Sequence, residues 1–564
     1  MKINFTEKDL SVLKVVSQIS MGFALLVAMT MIFTFVQLKL VKPLDNPILL
    51  TVKEQFDKDP GGGEKAEQIR AMDLMARKAY FSSRWQVETG SYLLLAGIIV
   101  FVLCQRIIAD NEKPSPILTD AKPDAEGGRT KNRKFIIAAV TFIFISAVIS
   151  SFLLRASLPD LSRKPRVSEA KNDSGSSNTP APDKNNWPSF RGQDSRGIAG
   201  GTDYPTEWDG ASGKNIGWKI EVPGKGKSSP VVWGDKIFIT GARDKICEVY
   251  CIDKASGKIL WTGSASDIAG EPSEVPKSDP EAGLAVSTVV TNGKSVYAVF
   301  ANGNLVCFDM DGNKKWAKNI GVPETSYGYS SSMLIYQNNL LVQFDSNAKI
   351  SLMAFDLEKG DQKWETLRKG HAVWSSPVLA SFNGTPELII NGNPNVSSFD
   401  PTTGKVLWEL ECMSGDVAPS VAVNSTTTYA VTDYAKLVAI KPGNTPTVTW
   451  QDNAYTPDVS SPVATDKFLF LSTGNGDVAC YNALKGDTAW THYFQNPFYA
   501  SPIVADGKVY FLDRSGKMHI VNADAQFKLV AESSLDEATD CSPAFSDKHI
   551  FIRGRKNLYC ITKN

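Results

Sequence analysis

CIDKASGKILW, from Cys251 to Trp261, recurs as AFDLEKGDQKW (Ala354 to Trp364), SFDPTTGKVLW (Ser398 to Trp408) and CYNALKGDTAW (Cys480 to Trp490). Each copy has a small residue, Asp or Asn two positions later, Gly four after that and Trp four further on. An Asp or Asn followed by Gly between runs of apolar and β-branched residues reads as strand, tight turn, strand. Looser copies end at Trp316 and Trp450, so the tryptophans at 261, 316, 364, 408, 450 and 490 stand 40 to 55 residues apart. That is the length of one four-stranded propeller blade.

A second signature lies upstream of most of these tryptophans. SSPVVWGDKIFI (Ser228 to Ile239), SSPVATDKFLFL (Ser460 to Leu471), ASPIVADGKVYFL (Ala500 to Leu512) and CSPAFSDKHIFI (Cys541 to Ile552) are examples. Alternation around a two-residue polar turn marks a hairpin. Blade starts fall near Ser228, Ser287, Ser330, Ser375, Ala418, Ser460, Ala500 and Cys541, which predicts eight blades. The last unit reaches only a third strand before the end of the sequence, so IGWKIEV (Ile216 to Val222) is expected to supply its fourth, with Trp218 in the tryptophan position. Joining the two ends of the domain in one blade removes the free sheet edges of an open array. In the seventh unit Gln526 and Val530 occupy the expected Gly and Trp positions.

The predicted fold is therefore an all-β eight-bladed propeller over 186–564, preceded by an α-helical membrane region over 1–155 and a polar linker over 156–185. Three apolar runs, about 15–38, 90–108 and 135–154, each approach the ~20 residues a helix needs to span a bilayer. An extramembrane helix is expected at about 64–88, rich in helix formers. The first run has no small-x-small cleavage site and no following Cys for lipid attachment. Arg129, Lys131, Arg133 and Lys134 crowd one short loop beside the third run, which places that loop and the N-terminus in the cytoplasm and the propeller in the periplasm of a bacterial inner membrane. The linker, with NDSGSSNTPAPDKNN, is too polar to bury a core.

Sixty basic residues balance sixty acidic ones, so no basic footprint for nucleic acid is expected. Of eight cysteines, Cys251, Cys307, Cys480 and Cys560 share one repeat position that holds Ala354 and Ser398 elsewhere, the mark of a small packed slot. Cys412 and Cys541 remain as candidates for a disulfide. Four histidines (His371, His492, His519 and His549), none of them in the membrane region, leave no pair for a membrane haem and no His-rich metal site. No metal is expected.

WPSFRGQDSRGIAG (Trp187 to Gly200), PTEWDG, NIGWKIEVPGKGKSSPVVWGDKIFITGA and the Trp repeats together resemble the PQQ-like β-propeller superfamily, and within it the BamB-like, non-enzymatic branch. The resemblance implies that Trp218, Trp261, Trp316, Trp364, Trp408, Trp450 and Trp490 are docking residues between blades, with no chemistry of their own. Binding residues are expected where the chain enters each innermost strand and rings the channel mouth: Lys227, Tyr329, Trp374, Asp416, Asp458, Tyr499 and Asp540. A cation, a ring-shaped ligand or a peptide would suit three carboxylates and three aromatics there. The loop from Thr262 to Ala285, acidic and Pro-containing, is a candidate contact element.

The leading expectation is a membrane-anchored periplasmic scaffold that binds protein partners in a cell-envelope complex, with no cofactor and no catalysis. The alternative is a membrane-bound quinoprotein dehydrogenase that holds PQQ with calcium, Trp374 and Asp416, Asp458 and Asp540 being its candidate site. Blades of about 47 residues leave little insertion to bury a cofactor. A periplasmic ligand sensor is a third possibility.

Overall fold

The computed structural model describes residues 7–41, the helical positions 97, 100, 101 and 103–108, and residues 185–563 apart from 277–281, 326–327 and 434. Two compact units divide the chain, Met1–Asn172 and Asp173–Asn564.

In the first unit helix α1 runs from Glu7 to Val41, and its stretch Leu10–Thr30 is long and apolar enough to cross a membrane. It is the one such helix among the described residues, and it extends beyond the expected 15–38 at both ends. Positions 100, 101 and 103–108, within the second expected span, are helical, and Gln105 Nε2 donates to Ser17 Oγ of α1 at 2.9 Å. The expected helices at 64–88 and 135–154, and nearly all of the linker, lie outside the described residues.

The second unit holds eight separate four-stranded antiparallel sheets, the eight blades of a propeller. Blade 1 is Val231–Trp233, Lys236–Arg243, Ile246–Asp253 and Ile259–Ser264, and blades 2 to 7 follow in chain order. Blade 8 takes Ala544–Ser546, His549–Arg553 and Asn557–Ile561 from the C-terminal end and Ile216–Glu221 from the N-terminal side, in the order expected. First strands of neighbouring blades touch one another, so they line the axis. Burial follows from position: the middle strands are buried on both faces, as in Asn339–Asp345, whereas fourth strands alternate, as in Ile216–Glu221.

The repeated small residue stands directly opposite the tryptophan. Cys251 pairs with Trp261, Cys307 with Trp316, Ala354 with Trp364, Ser398 with Trp408, Cys480 with Trp490 and Trp218 with Cys560. An indole lying over its own sheet leaves no volume for a larger partner there. All eight cysteines are free thiols, the candidate pair Cys412 and Cys541 included. Cys412 packs in the core around blades 4 and 5, while Cys541 Sγ lies 3.3 Å from Lys227 O, so the two sit at different blades.

Between blades the indoles reach across. Trp218, Trp261, Trp316, Trp364, Trp450 and Trp490 donate Nε1–H to Lys254, Met310, Leu357, Thr402, Ala483 and Asp524 carbonyls at 2.7–3.0 Å, each in the next blade's third turn. The repeat glycine serves the same contact. Gly360 has φ 72°, and a Cβ there would lie 2.6 Å from Trp316 Cδ2. Trp408 behaves differently: it packs with blade 5 residues Val438 and Ile440, but its Nε1–H stays in blade 4 and donates to Glu387 Oε2 at 2.6 Å. The turn it would otherwise meet holds Gly443, against which a Cβ would find open space.

Around the axis a Ser or Thr hydroxyl near the start of each of blades 2 to 8 accepts from the blade before it. Ser229 N–H donates to Thr288 Oγ1, Thr288 N–H to Ser332 Oγ, Ser332 N–H to Ser376 Oγ, and the series continues through Ser420, Ser461 and Ser501 to Ser542 Oγ, all at 2.9–3.1 Å. These bonds link blades 1 to 8 in order. Arg553 closes the remaining seam, from blade 8 to Ser228 Oγ and Thr240 O at 2.7 Å and to Gly224 O at 3.2 Å.

Candidate functional site

In every blade but the second, the first strand begins a few residues after one of the proposed mouth residues, so the closed ring brings these positions toward one end of the axis. Lys227 and Asp540 meet across the closing seam, and Arg514 of blade 7 joins Asp540 to Tyr499. Asp540 Oδ2 lies 3.1 Å from Lys227 Nζ, and Arg514 Nε donates to Asp540 Oδ1 at 2.7 Å. The Arg514 guanidinium lies 4.0 Å over the Tyr499 ring, a cation–π arrangement. Burial would raise the Asp540 carboxyl, but the Arg514 hydrogen bond and the Lys227 charge outweigh it and hold Asp540 below the usual carboxylate range. Burial, with Asp458 nearby, pushes the Tyr499 hydroxyl up.

The other four make none of these ion-pair or ring contacts, although Asp458 lies near Tyr499. Asp458 Oδ1 accepts from Gly474 N–H at 3.1 Å in its own blade. Asp416 is exposed, and its carbonyl accepts from Thr432 Oγ1. Trp374 is half-buried, with its backbone N–H bonded to Val417 O at 2.8 Å. Tyr329 is only 4% exposed; its ring packs with Met333 and Val342 and its hydroxyl donates to Gln343 O. Its contribution is to the core of the ring and not to a surface.

Arg514 escaped the sequence reading because it does not precede a first strand. It lies in the second turn of blade 7, Asp513-Arg514-Ser515-Gly516, where blade 6 has Thr473-Gly474-Asn475-Gly476; a charged residue in place of Gly474 was the available signal.

At the other end of the axis the segment 187–200 crosses the ring. Trp187 bridges Val232 of blade 1, and Thr291 N–H of blade 2 donates to Pro188 O. Arg191 then donates to Val421 O and Pro462 O, at blades 5 and 6, and Ala199 bonds Val504 O of blade 7. Blades 1 and 2 lie opposite blades 5 and 6 in an eight-membered ring, so the segment must pass over the axis. Arg191 is fully buried, its Nε has no hydrogen-bond acceptor, and burial lowers its pKa to about 9.

A family model described as outer membrane protein assembly factor BamB matches residues 188–366, 324–473 and 444–527, more than half of the chain. The chain belongs to this family. BamB of Yersinia pestis is 24% identical over 282 residues, which span 48% of this chain and 66% of that relative, just under two thirds of its length. Among solved structures, BamB from Moraxella catarrhalis has 15% identity and a TM-score of 0.48, covering 62% of this chain and 97% of that one. Quinohemoprotein alcohol dehydrogenase from Comamonas testosteroni has 12% identity and a TM-score of 0.53, covering 67% and 81%, a likeness of fold alone.

Since the fold also carries quinoproteins, the mouth of this BamB-family chain can be tested for PQQ with calcium. Calcium takes six to eight oxygen ligands. Asp540 already faces two cations, and Asp458 is spent on a backbone N–H. Among the described residues no three His, Cys, Asp or Glu side chains gather closely enough to hold a metal. Asp540 would have to give up Arg514 and Lys227 before it could serve such an ion.

Proposed function

We propose that this chain is a membrane-anchored scaffold, without catalysis of its own, that presents its propeller to protein partners of a cell-envelope complex. In this reading the three apolar runs cross a bacterial inner membrane, the N-terminus is cytoplasmic and the propeller is periplasmic. The observation that carries it is the crossing of the axis by 187–200 with Arg191 buried there, which covers one end of the axis and leaves the propeller its outer surfaces to work with. A ring tied by hydrogen bonds at each seam is a rigid platform, and rigid loop faces suit protein recognition. Membership in a family of assembly factors and the apolar stretch Leu10–Thr30 support the same reading.

The test is purification of the full chain from its native membrane, with cross-linking, mass spectrometry and an absorbance spectrum. A stoichiometric protein partner and no quinone absorbance are expected. Bound PQQ with dye-linked oxidation of alcohols or sugars would overturn the proposal. Alkaline-phosphatase fusions after residues 45, 120 and 185 are expected to be active, inactive and active; any other pattern would overturn the topology.

A further inference from the structure

Blade 1 and the loop that leaves it enclose a cleft of about 450 Å³, within the range of roughly 300–1,000 Å³ typical of binding sites. Its floor is apolar, made by buried Ile268 and Leu284. Ile246, the first residue of the third strand of blade 1, and Val275, in the loop, stand on its walls 45% and 49% exposed. Asp267, Glu271 and Glu274 line it against one cation, Lys245. Pro272 and Pro276 limit the backbone freedom of the loop wall.

Internal contacts hold the cleft in shape. Glu271 accepts Asn302 Nδ2–H at 2.9 Å and Ile268 N–H at 3.2 Å, which ties the loop to blade 2. Its carboxylate is thereby structural, whereas Asp267 and Glu274 are exposed acids on the rim. Exposed apolar side chains at a concave site with an acidic rim call for an occupant that is apolar and cationic at once. The geometry points to this cleft as the docking site for a short segment of a partner protein that carries basic residues beside one or two aliphatic ones. The aliphatic side chains would bury Ile246 and Val275, and the basic ones would meet Asp267 and Glu274. This assignment rests on the scaffold reading and names the chemistry of the partner.

The probe is a fluorescein-labelled Gly/Ser dodecapeptide with four lysines and two leucines, added to the full chain in nonionic detergent and followed by anisotropy. Two controls replace its lysines by glutamates or its leucines by serines. Binding of the first peptide alone is expected, weakening as salt rises from 50 to 500 mM. Asp267→Lys with Glu274→Lys should weaken it by about tenfold or more, and Val275→Ser should weaken it as well, with the melting temperature of each variant unchanged. Equal binding of the glutamate peptide, or full binding by the charge-reversed variant, would overturn the proposal. So would co-purification of the native partner equally well with wild type and charge-reversed chain, an outcome that leaves the scaffold reading standing. Selective peptide binding with no partner recovered from the native membrane would instead uphold the cleft and defeat the scaffold reading.

Discussion

Ile520 stands directly opposite Ala531 in blade 7, reversing the small-opposite-large pairing seen at Cys251 and Trp261. The turn between them is one residue longer, since Asn522 N–H bonds Lys528 O where Asp253 N–H bonds Lys258 O. Ala531, and not Val530, thus occupies the tryptophan register. The reason lies in the next blade. Blade 8 is made from two ends of the domain, so its third and fourth strands pair as a ladder but no chain turn connects them, and it offers no turn on which an indole could dock. Trp208, buried in the same cluster as Ile520, brings an indole to this seam from outside the blade, its backbone N–H bonded to Ser533 Oγ at 3.0 Å. Ala531→Trp is therefore expected to cost about 1–3 kcal/mol by overpacking, and Ile520→Cys in the same chain should recover part of it. Urea unfolding of the two single variants and the double variant checks this, and strict additivity would contradict it.

Glu387 is 6% exposed and accepts from Trp408 Nε1 and from Ser398 Oγ, the latter at 2.7 Å. Trp408→Phe leaves this buried carboxylate one donor short, and a loss of about 1–3 kcal/mol is expected. Glu387→Gln keeps an acceptor for the indole and should cost less. The denaturation midpoints of both variants give the comparison.

Arg553 joins blade 8 to blade 1 through a planar fork that one ammonium cannot reproduce. Both Arg553→Lys and Arg553→Met are expected to lower stability by about 2–3 kcal/mol or more, because several buried carbonyls lose a charged donor together. Hydrogen exchange should rise first at the strands of blades 8 and 1; a rise spread evenly over all blades would speak against a seam.

Asp513 provides the pH dependence. Burial opposes its ionisation, but hydrogen bonds from His519, Ser515, Asn496 and the Lys517 N–H win, and its pKa falls from 3.8 to about 2. A carboxyl depressed in the folded state gives stability that is fully present above the unfolded value and is lost as pH falls through the folded one. Its share should be constant from pH 7 to about 5 and vanish between roughly 4 and 2. Asp540 shifts in the same direction. Thermal melts of Asp513→Asn across this range should show a shallower acid slope than wild type.

Breaking one link of the axial ring is a local test of the serine signature. Ser376→Ala removes the acceptor of the buried Ser332 N–H, and about 1–3 kcal/mol is expected to go with it. Ser376→Thr keeps a hydroxyl and should retain more of that stability, since Thr288 Oγ1 accepts from Ser229 N–H at the same position in blade 2.

The blades themselves were legible in the amino-acid order, because strand, turn and strand lie within some forty consecutive residues and their alternation, Asp, Gly and Trp are local signals. The closing strand Ile216–Glu221 was legible too, from a missing fourth strand and a spare tryptophan. The seams were not. Arg553 and Ser228 are 325 residues apart, Lys227 meets Asp540 only once the ring shuts, and Arg191 finds its carbonyls only by crossing the axis. Tyr329 shows the converse: its place before a first strand marked it for the mouth, whereas the space open to its ring lies in the core. Local spacing determines which residues share a strand face. Which side chains meet across the ring depends on closure, since residues distant in sequence become neighbours only when the last blade is completed by the first strand.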